Sequence, residues 1–200
     1  EAADKGLNCV EYQLADGGVR RVNVASYVEM ALRTSSRRAA LTAEGAKRSQ
    51  WGEFLVVSPT LHSTCDSCQI WQGRVLIDDV YSEGKSNGKH PLLSDAIKPP
   101  SHFLGPNCRH PLVTYFEGVT QIPTKSDWDQ TQKSYEAEEK QRYLERGLRA
   151  WKRREAIATS EKEQLKAKDK LKEWTERLKA HLAENPQLRR DRARETILRT

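Results

Sequence analysis

The sequence predicts an α+β protein in two parts: a small mixed domain over residues 1–124 and a charged helical hairpin over residues 125–200. Three observations carry this. Up to residue 123, short apolar or period-two runs alternate with turn residues, which is the pattern of brief strands. From about Lys125 the composition shifts to two long charged stretches with leucine and tryptophan at helical spacing. The length of 200 residues suits one ordinary domain plus an appendage.

Residues 9–24 alternate in polarity on either side of Asp16-Gly17-Gly18, so they predict a β-hairpin. Ser26-Tyr-Val-Glu29 reads as a capping box that opens a helix lasting to about Arg48. Val28, Met30, Ala31, Leu32, Ala39 and Leu41 form its irregular apolar side. Phe54-Leu-Val-Val57 and Arg74-Val-Leu-Ile77 predict short buried strands, and Leu112 to Phe116 a third. Tyr81 to Lys89 is a polar loop with Gly84, Asn87 and Gly88, and Pro91 to Ile97 makes a short helix stopped by Pro99-Pro100.

In the tail, Leu144, Leu148 and Trp151 fall on one helical stripe, and Leu171, Trp174, Leu178 and Leu182 on a second. Ser160-x-x-Glu163 restarts the helix after a break near Thr159, and Asn185-Pro186 ends it. Two thin stripes on consecutive helices predict an antiparallel pair packed stripe to stripe.

The chemistry concentrates between His62 and His110. His62-Ser-Thr-Cys65-Asp-Ser-Cys68 and Asn107-Cys108-Arg109-His110 hold three of the four cysteines and two of the five histidines. A Cys-x2-Cys knuckle lets one tight turn present two thiolates to one ion, and Cys-x-His completes a soft donor set suited to tetrahedral Zn2+. His62, Cys65, Cys68, Cys108 and His110 are five candidates for four places. Cys65, Cys68, Cys108 and His110 are preferred, with His62 competing, and the expected role is structural. The alternative is a disulfide from Cys65 or Cys68 to Cys108. Cys9 lies outside the pattern and reads as a packing residue.

A zinc deaminase is disfavoured, because no Glu stands two residues after His62 and Thr64, not Pro, precedes Cys65. A metal-dependent nuclease needs a base and a phosphate-holding arginine near the ion, for which His62, Asp66, His102 and Arg109 are available. The formal net charge of +6 makes polyanions natural neighbours, and residues 127–200 carry most of it. Lys152, Arg153 and Arg154, with Arg189, Arg190, Arg192 and Arg194, are the candidate nucleic-acid contacts, indifferent to sequence; interspersed acids such as Glu155 and Glu195 equally fit an ordinary solvated helix face. No run approaches the roughly 18 apolar residues of a membrane-crossing helix, so no membrane partner is expected. The chain opens on Glu1, as expected of a piece of a longer product.

Together, Tyr27-Val-Glu-Met-Ala-Leu-Arg33-Thr34, the His62 to Cys68 segment followed by Trp71-Gln72-Gly73-Arg74-Val75, and Asn107-Cys108-Arg109-His110 resemble the phage minor capsid protein 2 family. That family is similar to the wider phage head-morphogenesis proteins. Gln141-Arg142-Tyr-Leu-Glu-Arg146, Ala150-Trp-Lys-Arg-Arg154 and Leu188-Arg-Arg-Asp-Arg resemble its charged helical end. The resemblance implies a non-enzymatic virion component near the portal vertex, present in host cytoplasm during assembly, with portal or capsid proteins and DNA as partners. In that family the knuckle often carries His at both places, so Cys68 stands where a histidine is common, an exchange a zinc ligand permits. The same comparison strengthens His62 against Cys65, so the choice between these two stays open. Related head proteins are sometimes fused to toxin domains, so a metal-dependent nuclease or toxin-like effector is the alternative function.

Overall fold

A computed structural model describes residues 9–13, 17–122 and 127–197. The chain is mixed helix and strand, and divides into two compact units. One comprises Val28–Tyr135; the other joins Glu1–Tyr27 to Glu136–Thr200.

In the second of these, β1 (Cys9–Gln13) pairs antiparallel with β2 (Val19–Asn23), with Cys9 opposite Asn23 and Gln13 opposite Val19. The predicted turn lies partly outside the described residues, since Asp16 is not among them; Gly17 has φ 81°. Helix α1 (Val24–Trp51) follows β2 directly. Val24 is therefore helical, not the last strand residue, and the helix starts before the Ser26 capping box. The Asn23 carboxamide oxygen accepts from the N–H groups of Ala25 (3.1 Å) and Ser26 (3.5 Å). Asn is as good an N-cap as Ser, and here it comes first in the chain. The helix also outruns Arg48 by most of a turn, to Gly52, whose φ of 72° ends it.

Helix α1 continues into the Val28–Tyr135 unit. There β3 (Leu55–Val57) is central in an antiparallel sheet of order β4-β3-β5, flanked by β4 (Val75–Ile77) and β5 (Val113–Thr114). These strands are shorter than the apolar runs that predicted them. Two one-turn helices, α2 (Asp66–Gln69) and α3 (Leu93–Ile97), lie in the connections. Strands of two or three residues cannot make a stable sheet alone. Their stability comes from a shared core in which Val56, Leu76, Leu93 and Phe103 are essentially fully buried, with Cys68 and Leu112 among them. Two further contacts draw α1 onto this core. Gly45 lies against the Tyr81 carbonyl so closely that any side chain there would overlap it. Arg48 donates to Asp78 Oδ2 through Nε (3.1 Å) and a terminal nitrogen (2.7 Å), both residues being buried. Asp78 Oδ1 meanwhile accepts from the backbone of Val80 and Tyr81, so neither carboxylate oxygen is left without a partner.

The helical pair is α4 (Trp128–Ala156) and α5 (Glu161–Glu184). Within the unit that includes Glu136–Thr200, Leu144, Leu148 and Leu178 are buried together, with Leu171, Trp174 and Leu182 packed around them. Burying each such leucine contributes roughly 1.5–3 kcal/mol. The pairs Ala137–His181 and Gly147–Trp174 run in opposite senses along the two helices, so the pair is antiparallel. Gly147 sits under the Trp174 ring, where a methyl group would collide with it. Trp151 does not join the stripe; its ring takes the Arg154 guanidinium at 4.3 Å instead. The Ser160 hydroxyl accepts from the Glu163 N–H, and the Glu163 carboxylate reaches back to Thr159. This is the predicted box shifted one residue on its return arm. Among the described residues, no helix is long and apolar enough to cross a membrane.

Candidate metal centre

The half-sites converge because each is a tight turn with its ends fixed. The carbonyl of Cys65 accepts from the N–H groups of Cys68 and Gln69, both at 3.1 Å, which winds α2 and turns the Cys68 side chain into the core. The other half-site is a looped segment in which Leu104 (φ 54°) and Asn107 (φ 63°) both adopt left-handed backbone. Leucine pays a steric penalty in that conformation, and such residues gather where a site over-determines them. Here the outcome is visible: the Leu104 N–H points at the Cys108 sulfur, 3.2 Å away. From α1, Arg37 donates to the Cys108 carbonyl at 2.5 Å.

Cys68 Sγ lies 3.9 Å from Cys108 Sγ, and Cys108 Sγ lies 3.4 Å from His110 Nδ1. Bonds of about 2.3 Å to sulfur and about 2.0–2.1 Å to nitrogen, at tetrahedral angles, imply edges of about 3.8 Å and about 3.6 Å. The observed separations match those of ligands sharing one zinc-sized ion, and Cys68, Cys108 and His110 can hold a metal. The sulfur separation is far beyond a disulfide bond, and all four cysteines are free, which removes the disulfide alternative for this structure.

The imidazole of His110 is oriented for such a role. Its Nε2 is 2.8 Å from the buried Thr64 hydroxyl. The Thr64 hydroxyl can accept from an Nε2–H, which is the second contact a metal-bound histidine ordinarily makes, while Nδ1 faces the Cys108 sulfur. Phe103 packs against the ring at 5.9 Å between centroids. The thiols are electronically unequal. The hydrogen bond from Cys68, followed by those from His110, lowers the Cys108 thiol to about 4, whereas Cys68, which donates to it and is buried, is pushed up.

The other predicted ligands stand differently. Cys65 is half-buried, packs against the same core and bears on the Cys68 thiol, without being one of the three mutually close donors. His62 is exposed and is not part of the group. His62, Asp66, His102 and Arg109 are all exposed, while the donors of the group are half-buried or buried. Sequence reasoning missed Thr64 and Leu104. Thr64 sits inside the quoted motif, but its link to a histidine 46 positions away has no sequence signature.

The basic residues of the tail are partly engaged within their own unit. Arg190 pairs with both oxygens of Glu195 (2.6 and 2.7 Å), Arg194 with Asp191 (3.2 Å), and Lys152 donates to the Glu195 carbonyl (2.7 Å). Arg153 is half-buried, while Arg189 and Arg192 are exposed.

Comparison with known proteins agrees with the motif resemblance. The profile of phage minor capsid protein 2 matches residues 2–183. A structural protein of Lactococcus phage LL-H is 27% identical over 148 residues, which is 72% of this chain and 40% of that protein. A structural protein of Lactococcus phage mv4 is 32% identical over 117 residues, 56% of this chain and 94% of that protein. The chain therefore spans well under half the length of the LL-H relative. No solved structure matches. On a profile that runs across nearly its whole length, through both half-sites and both tail helices, the chain belongs to the phage minor capsid protein 2 family.

Proposed function

We propose that the chain is a non-enzymatic structural component of a phage head, with its Val28–Tyr135 unit stapled by one zinc ion. Family membership supports the structural role, and the convergence of Cys68, Cys108 and His110 supports the staple. Cys65 is the fourth ligand in this reading, because it opens the same tight turn as Cys68, packs against the same core and bears on the Cys68 thiol. Four protein ligands close the shell and leave no position for water or substrate, which is the structural form of a zinc site.

The unit so stapled has its strands held by ligands rather than by sheet length, and serves as a rigid body within the virion. The tail is read as its docking handle toward portal or other capsid proteins. The ion pairs of Arg190 and Arg194 favour a protein partner over packaged DNA for that handle.

The test is metal analysis of the purified chain, with and without Cys65→Ser, alongside incubation with DNA and RNA. About one zinc per chain, lost or weakened in the variant, and no turnover support the reading. Metal-dependent cleavage abolished by His62→Ala would establish a nuclease instead. DNA retention that weakens with salt and survives charge removal at Lys152, Arg153, Arg154, Arg189, Arg190, Arg192 and Arg194 would reject the tail as the DNA contact.

A further inference from the structure

The solvent side of α1 carries an unexplained pattern. The buried side of this helix presents Leu41, Gly45 and Arg48 to the core. On the other side, Val28, Leu32, Ser35, Ala39, Thr42 and Ala46 are all exposed and succeed one another at spacings of four, three, four, three and four. This is the a/d spacing of a coiled-coil seam, sustained over five turns with no charge in it and with its apolar bulk at Val28 and Leu32. Leu32 and Val28 are 67% and 44% exposed, more than a lone surface residue explains, since they align on one seam.

We infer that this face is an interface between two copies of the chain, paired antiparallel through α1. The occupant is argued from self-complementarity. The large residues lie at one end of the seam and the small ones at the other. An antiparallel copy with its two-fold near residue 37 sets Val28 against Ala46, Leu32 against Thr42 and Ser35 against Ala39. Large meets small in the Val28–Ala46 and Leu32–Thr42 layers and small meets small at Ser35–Ala39, so the helices approach closely; a parallel copy sets Leu32 on Leu32. The same arrangement brings Glu29 of each copy alongside Lys47 of the other, whereas a parallel copy stacks like charges. Arg38 is the discordant residue, since it meets its own copy beside the two-fold. In the single chain its guanidinium acts on the Tyr81 phenol instead.

The contact is one helix face wide, at the low end of specific interfaces, so it associates weakly in dilute solution and matters where copies are crowded. Sedimentation velocity of the full chain in reductant, over a wide concentration range at low salt, tests it. The expected result is a monomer–dimer equilibrium. Leu32→Glu, at an exposed position, weakens association at least about tenfold without changing the circular dichroism of the monomer. Arg38→Gln tightens it by removing the like-charge contact. A chain that stays monomeric throughout, a dimer indifferent to Leu32→Glu, or an Arg38→Gln chain that associates no more tightly each overturns the proposal.

Discussion

The Cys/His unit and the helical pair reach stability by opposite routes. In the helical pair, helices of 29 and 24 residues bury three leucines on stripes that recur every three or four positions. Its contacts follow from local periodicity. In the Val28–Tyr135 unit the strands are two or three residues long, and the contacts that matter join residues far apart: Arg48 with Asp78, Thr64 with His110, and Cys68 with Cys108. Long-range contacts close long loops before they repay the entropy, so such a unit needs strong, discrete fasteners. The helical pair can lose one contact and remain helical. The other unit depends on a few.

That contrast can be broken most severely at the candidate metal centre. Chelation, or Cys108→Ser, is expected to unfold the Val28–Tyr135 unit, on the scale of the roughly 10 kcal/mol that structural zinc contributes to small domains. The helical signal of the tail should persist. A single cooperative loss of both, followed by circular dichroism and tryptophan fluorescence, would show that the units are not independent in stability.

Next in size is the buried ion pair. Asp78→Ala leaves the buried Arg48 with only the more exposed Glu44, 3.8 Å away, as an ion partner and should cost about 3–5 kcal/mol in urea denaturation. Replacing both partners, Arg48→Met with Asp78→Leu, should recover a large part of this. If the double variant is no more stable than the single one, backbone contacts of Asp78 rather than charge carry the effect.

In the helical pair, Gly147→Ala should cost about 1–3 kcal/mol, because the added methyl displaces the Trp174 ring. The same change at an exposed helical glycine would stabilise. An unaltered melting temperature would mean that the two helices separate there at no cost.

The smallest effect concerns Glu145, which is buried and accepts from Gln141. Burial raises its carboxyl above the usual range, with Arg194 opposing. A raised folded-state value means that stability is fully present below the unfolded value and falls as pH rises through the folded one. Glu145→Gln should therefore stabilise the pair modestly at neutral pH and lose its advantage in acid. A gain independent of pH would assign the effect to helix propensity instead.

These differences follow how the two units were legible in the primary structure. The leucine stripes, the restart at Ser160 and the stop at Asn185-Pro186 are all observed, because helical contacts lie within four residues of each other. Trp151 had the right spacing for the stripe, yet its ring holds Arg154, since spacing alone does not choose a side chain's neighbour. At the start of α1, two good caps stood three residues apart, and the earlier one, Asn23, took the role.

For the metal group, residue type and spacing singled out five donors but could not choose among them. Two turns separated by forty residues are positioned by everything folded between them, so only the tertiary structure brought Cys68, Cys108 and His110 together and left His62 exposed. The composition of the donor set, the helical tail and the family motifs were written locally in the sequence. The mutual distance of the sulfurs, the Thr64 contact that orients His110 and the Arg48–Asp78 fastener were decided by packing, because each depends on chain segments that share no local pattern.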